Sequence, residues 1–177
     1  MQSRIIGKLD VVAAQLSEAI RLFFEQRDLV VVHTLVASAH QILFDLGKTK
    51  GVGSQIKNFA NLEAEEVQEF LRAVNYPYNF FKHATRDPEG KIDVGPLFQF
   101  TADFLMDGVL MLQRIAGTLP IQARIYWAWF VSYYHEQFNN LPPDGEVARL
   151  QKQELGSKSF NELAAVIKYA EVAGDRA

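Results

Sequence analysis

The chain has 177 residues, 49% of them hydrophobic and 22% charged, a length and balance suited to one globular domain with a real core. It contains no cysteine, which excludes disulfide frameworks, thiolate nucleophiles and cysteine-ligated zinc or iron–sulfur centres, and fits a cytoplasmic, reducing compartment. The formal net charge is -3, with 18 basic and 21 acidic residues dispersed along the chain, so any attraction to nucleic acid has to be local.

The opening MQSRIIGKLD lacks the apolar run of a signal peptide. The longer apolar stretches are broken by His33, His40 or Asp107 before reaching about 18 residues, and no membrane span is expected. From Leu9 to Gln26, apolar residues at Leu9, Val12, Ala13, Leu16, Ile20, Phe23 and Phe24 form a helical stripe, with Glu18, Arg21 and Glu25 on the other side. Asp28 is placed to cap a second helix over 28–46, and Gly47 to stop it. Its Leu29-Val30-Val31-Val32 start has the β-branched character of a strand, but the periodic pattern outlasts any ordinary strand. Because that helix is apolar on nearly every face, it is expected at the centre of a bundle.

The segment Gly47 to Asn61, rich in glycine and lysine, reads as a loop. Asn61 then caps a helix over 62–74 whose first turn carries Glu63, Glu65 and Glu66 at the positive end of its dipole. Tyr76-Pro77 is expected to break it, with a short helical piece following over 79–84 and a turn over Arg86-Asp87-Pro88-Glu89-Gly90. Pro96 and Pro120 suit the first turns of helices over 96–116 and 120–138. A polar piece over 146–155 and a helix over 159–172, with Ser159 and Glu162 in a capping box, complete the chain. The expected fold is all-α: residues 1–177 as a single helical bundle of about five to seven helices with short connections.

Few segments carry candidate chemistry. Gly47-Lys48-Thr49 has the ending of a phosphate-binding P-loop, but Ile42 stands where its first glycine belongs and no strand precedes it, so a solvated connector is expected. His33 and His40 share one helix face roughly 10 Å apart along the axis, too far for one metal, and Ala37 and Phe44 occupy the neighbouring ligand spacings. They read as histidines satisfied inside the bundle, with a cleft or dimer seam as the alternative. No metal site and no cofactor is expected. In Arg124 to Phe138, Tyr126, Phe130 and Tyr133 fall on one stripe and Trp127, Tyr134 and Phe138 on another; such rings are core or stack on a ligand, and the doubling suggests a face buried against a second copy.

The densest polar cluster is Tyr78-Asn79-Phe80-Phe81-Lys82-His83-Ala84 with Arg86 beyond it. Asn79 and His83 are four residues apart, hence on one helical face, and an amide, an imidazole and nearby cations suit a phosphate. The histidine is also able to move protons near neutral pH. The alternative is structural, with Phe80 and Phe81 anchoring the piece and its polar groups capping backbone or facing solvent.

At these residues the chain resembles the HEPN domain, a family of helical bundles found in bacterial toxins, defence proteins and RNA- or nucleotide-handling proteins. Its signature is an arginine, a polar residue, a few arbitrary residues and a histidine, often followed by a small residue. Asn79, His83 and Ala84 fit, and Tyr78 stands at the arginine's place. Arg27-Asp28 followed by His33 also matches the pattern, but lies earlier in the chain than the family's motif. The resemblance implies, in active members, metal-independent RNA cleavage with His83 as acid or base and Asn79 beside it, two subunits pairing around the motif. Without the arginine, which would steady the charged phosphorane, it implies recognition more than turnover, with Lys82, Arg86 and Tyr78 as ligand contacts. The functional expectation is therefore a homodimeric, HEPN-like protein that recognises RNA or a nucleotide. The rival expectation is a helical interaction or dimerisation protein without a small-molecule ligand.

Overall fold

The computed structural model describes residues 5–58, 63–85, 87–138, 142 and 145–174. Among them all regular structure is helical, in the order α1 (Lys8–Phe24), α2 (Leu29–Lys50), α3 (Ala64–Lys82), α4 (Leu97–Ala116), α5 (Ile121–Tyr133), α6 (Glu146–Gln151) and α7 (Phe160–Gly174). Single 3-10 turns lie at His135–Phe138 and Leu155–Ser157.

The apolar stripe of α1 is buried through Val12, Leu16, Ala19, Ile20, Phe23 and Phe24. After a left-handed Gln26 the chain reverses into α2, where the Asp28 carboxylate accepts the Val30 N–H at 2.8 Å. α2 packs against α1, α3 and α4. It is long and apolar enough to cross a membrane by length and composition, and its central position accounts for that character.

α2 does not stop at Gly47. The chain continues to Lys50 and ends on Gly51, whose φ of 67° is the left-handed cap a glycine takes at least cost, and the Gly51 and Val52 N–H groups both return to the Gly47 carbonyl. Gly47 is small for another reason, since the Val52 carbonyl folds so close over it that a Cβ would collide.

The expected break at Tyr76-Pro77 is also corrected, since α3 is continuous through Pro77. Proline removes the bond to the carbonyl four residues back, here that of Ala73, an exposed residue whose carbonyl solvent is able to serve. Asn61 lies outside the described residues; the described start is Glu63, whose N–H donates to the Glu66 carboxylate at 2.8 Å. The turn at the other end is present from Asp87, with the Gly90 N–H on the Asp87 carbonyl at 2.8 Å.

α4 lies between Pro96, just before its first residue, and a left-handed Gly117 with φ 73°. It runs parallel to α2: His33 meets Thr101 at 3.1 Å and His40 meets Asp107 at 2.7 Å, so the pairing advances along both helices together. α5 runs antiparallel to α4, the Tyr126 hydroxyl donating to the Ala102 carbonyl at 2.8 Å and that of Tyr134 to Gln99 at 2.8 Å. It ends at Tyr133, five residues before the expected Phe138, because the chain tightens into the first 3-10 turn. The expected helix over 146–155 is likewise shorter, and Ser159 with Glu162 forms the capping box of α7.

The aromatic residues of α5 belong to the chain's own core. Trp129 is 1% exposed and sits against Phe23, Phe24, Tyr126 and Phe160 with ring centroids 5.3 to 5.8 Å apart. Tyr126, Trp127 and Phe130 are buried as well, while Tyr133 reaches the surface. Of the doubled stripe, Tyr126 is thus consumed within one copy against Phe23 and Phe24 of α1, and Phe130 against its neighbours Tyr126 and Tyr134, while Tyr133 stays 54% exposed.

Pro77→Ala tests the continuous α3. Restoring the N–H inside an intact helix is expected to raise the melting temperature, by less than about 3 kcal/mol in stability, whereas no gain would mean that the chain needs a break there.

Candidate functional site

The last turns of α3 divide their side chains by face. Tyr78 and Phe81 are half-buried; Tyr78 packs against the core and Phe81 lies edge-on to His33 with centroids 6.2 Å apart. Asn79, Lys82 and His83 are exposed. The helix ends at Lys82, and His83 is its extended C-cap, donating its N–H to the Asn79 carbonyl at 3.0 Å.

Asn79 and His83 line one open groove of about 600 Å³ together with Arg72, Tyr76 and Phe80, and with Thr85 and Asp87 from the following turn. Arg72 joins them because residues 72, 76, 79–80 and 83 recur at helical spacing along a single α3. A break at Pro77 would put Arg72 out of register with His83, which is why the sequence pattern alone leaves it out. Lys82 and Tyr78 are not on this groove: the Lys82 ammonium stands 5.0 Å from the Tyr78 ring centroid, a cation–π pair. Arg86 lies outside the described residues.

A second polar cluster is buried between α2 and α4. The Asp107 Oδ2 accepts the His40 Nε2–H at 2.7 Å and the Ser54 hydroxyl, while Oδ1 accepts the Gln55 N–H at 2.8 Å. Ser54 Oγ in turn accepts the Lys57 N–H at 2.8 Å. Burial works to raise the Asp107 carboxyl, but the hydrogen bonds from His40, Ser54 and Gln55 outweigh it and hold the group below the usual carboxylate range. Burial lowers His40 against the pull of Asp107. The pair is therefore a neutral imidazole donating to a carboxylate, and the bare lone pair falls on Nδ1, the buried ring nitrogen with no partner among the described residues.

Serine, histidine and aspartate in contact invite comparison with a nucleophilic triad, and the connectivity rules it out. In a triad the imidazole stands between hydroxyl and carboxylate and takes the hydroxyl proton. Here Asp107 takes the protons of both: His40 Nε2 lies 3.4 Å from Ser54 Oγ, but its N–H is directed at Asp107 at 2.7 Å and the Ser54 hydroxyl donates to the same carboxylate, leaving no free base toward Ser54. The cluster is a clamp that holds the α2–α3 loop onto α4.

His33 is also fully buried, bonded through Nδ1 to Thr101 and enclosed by the rings of Phe81, Phe100 and Phe104. Both histidines are thus inside the bundle, each bonded through one ring nitrogen only, since His33 Nε2 and His40 Nδ1 have no partner among the described residues; the carboxylate that His40 meets is one the sequence marks only as an interruption of an apolar run. Among the described residues no three histidine, aspartate or glutamate side chains come together as a metal site. Comparison with protein-family models, with curated proteins and with solved structures gave no match for this chain.

Burial, with a smaller contribution from His40, pushes His33 down to about 4. An unfolded chain binds that proton near pH 6.5, so the folded state loses relative stability as pH falls from 6.5 through about 4. The loss expected from His33 is on the order of 3 kcal/mol. His33→Gln, which cannot titrate, should flatten the fall in melting temperature over that window; an unchanged pH profile would show that His33 does not take up its proton on unfolding.

Proposed function

We propose that the groove along α3 recognises a phosphate-bearing nucleotide or a single-stranded RNA, and that the bundle is HEPN-like in arrangement. The observation that supports this most is Arg72 on the same open groove as Asn79 and His83. A guanidinium matches the oxygens of a phosphate in a way a lone histidine does not. Tyr76, 49% exposed, and Phe80 offer ring faces to a base in the same groove, and the Asn79 amide offers both a donor and an acceptor to a base edge. Asp87 opposes a second phosphate nearby and suits the hydroxyls of a ribose.

The reading is recognition without turnover. Tyr78, at the arginine's place in the resembling motif, is half-buried and engaged with Lys82. Neither is set to steady a developing phosphorane in this groove. A homodimer belongs to the same proposal, and α3 is the face that suits it, since Tyr126, Trp127, Trp129 and Phe130 of α5 are buried inside the chain and Tyr133 is left at its surface.

Fluorescence anisotropy with a short labelled single-stranded RNA, and competition by adenosine monophosphate, tests the reading. Arg72→Ala and His83→Ala should each weaken binding about ten-fold or more, the worth of a charge-assisted hydrogen bond, with the melting temperature unchanged because both side chains are exposed. Lys82→Ala should do less. Absence of RNA and nucleotide binding by the unaltered chain would overturn the proposal in favour of a helical interaction protein. Metal-independent RNA cleavage gained by Tyr78→Arg and abolished by a further His83→Ala would tie the groove to the ribonuclease lineage.

A further inference from the structure

The far end of α2 carries a second cleft, of about 650 Å³, between its last turns, the α2–α3 loop and α4. His33 lies beside α3's C-terminal turns, and the α2 residues of the cleft run from Phe44 to Lys48, so roughly 17 to 22 Å of helix separates this cleft from that end of α3. Three of its lining residues are basic: Lys48, Lys57 and Arg114. They are not equivalent. Lys48 is paired with Asp45 at 3.0 Å in solvent, and Arg114 is exposed with no ion pair or hydrogen bond among the described residues.

Lys57 is the unusual one. It is 4% exposed, yet among the described residues its ammonium has a single oxygen acceptor, the neutral Gln41 Oε1 at 3.1 Å, and otherwise lies 5.0 Å from the Phe44 ring centroid. An ammonium has three N–H donors, and a buried cation held by one amide and a ring lacks the counter-charge that burial ordinarily requires. Asp45 and Asp107 attract it from a distance and Lys48 repels it, none of them bonded to it.

The loop beside Lys57 is set in shape without any ligand. Asp107 takes the Gln55 N–H and the Ser54 hydroxyl, and Ser54 takes the Lys57 N–H, so the backbone from 54 to 57 is fixed from below. The amides of Gly53 and Ser54, both lining the cleft, donate to no group among the described residues. Gly53 has nothing within 4 Å of where a Cβ would stand, so its backbone is open to a bulky anion.

We propose that this cleft binds a phosphoryl group, with Lys57 and Arg114 as its cations and the Gly53 and Ser54 amides as further donors. It is a site separate from the α3 groove. The ligand completes the charge of Lys57, and the buried Asp107 clamp keeps the donors in place beforehand. Burial pushes Lys57 down to about 8, so binding weakens as pH rises through that value and the ammonium loses its proton.

Titrating the full chain with inorganic phosphate at constant ionic strength, followed by amide proton–nitrogen spectra, tests this. Saturable shifts confined to Gly51–Lys57 and the neighbourhood of Arg114 are expected, with chloride and acetate producing none. Lys57→Met and Arg114→Gln should each raise the dissociation constant about ten-fold or more. If Lys57→Met fails to fold, the exposed Arg114→Gln still carries the test. Arg72→Ala should leave phosphate binding at this cleft unchanged, which separates failure here from failure of the α3 groove. Shifts that do not saturate, that spread over all lysines, that acetate reproduces, or that survive Arg114→Gln would overturn the proposal.

Discussion

The carboxylate of Asp107 is the constraint around which the bundle is arranged. It sits 3% exposed in the middle of α4, where a free carboxylate would be intolerable, and is compensated by donors from two other segments: the His40 imidazole of α2 and the hydroxyl and amide of Ser54 and Gln55. Apolar packing tolerates many registers, but a buried carboxylate tolerates very few. The one-to-one match of His33 with Thr101 and of His40 with Asp107 fixes how far α4 slides along α2. The α2–α3 loop is pinned by the same group, so the position from which the chain sets out toward α3 is also set by Asp107.

The helical architecture is readable because it is written in periodicity. The stripe of α1, the Asp28 cap, the prolines before α4 and α5 and the Ser159 capping box are local signals, and each corresponds to an element. The departures arise where tertiary contact overrides a local rule. Gly47 has the identity of a stop but is small for the sake of the Val52 carbonyl, and the stop falls on Gly51. Pro77 has the identity of a break but lies on a helix with a solvent side that absorbs the lost bond. α5 is shorter than its pattern because apolar residues continue into a 3-10 turn with the same rough spacing.

The candidate sites are less legible, for a physical reason. Asn79 and His83 are close in sequence and share a groove, so proximity along the chain is enough to find them. Arg72 requires knowing that Pro77 leaves the helix intact. Ser54, Lys57 and Arg114 come from segments separated by α3, and nothing in a one-dimensional pattern says that a loop lysine will be buried against Phe44. The apolar residues around His40 disclose its burial; they do not disclose which carboxylate answers it. The aromatic residues of α5 carry a similar ambiguity, because a ring buried against α1 and α7 and a ring buried against a second copy have the same spacing.

The parallel course of α2 and α4 has a kinetic side. Antiparallel neighbours such as α1 and α2 are joined by a short turn and can dock as soon as they form. The bond between His40 and Asp107 instead closes a stretch of 67 residues, and its closure entropy falls due before the contact returns anything. Until α4 arrives, the flank of α2 bearing His33 and His40 stays wet, its imidazoles served by solvent. The docking of α4 is thus the step at which that flank gives up water for protein partners, and loop-closure entropy makes the search of one distant helix for its register on another a slower kind of contact to form.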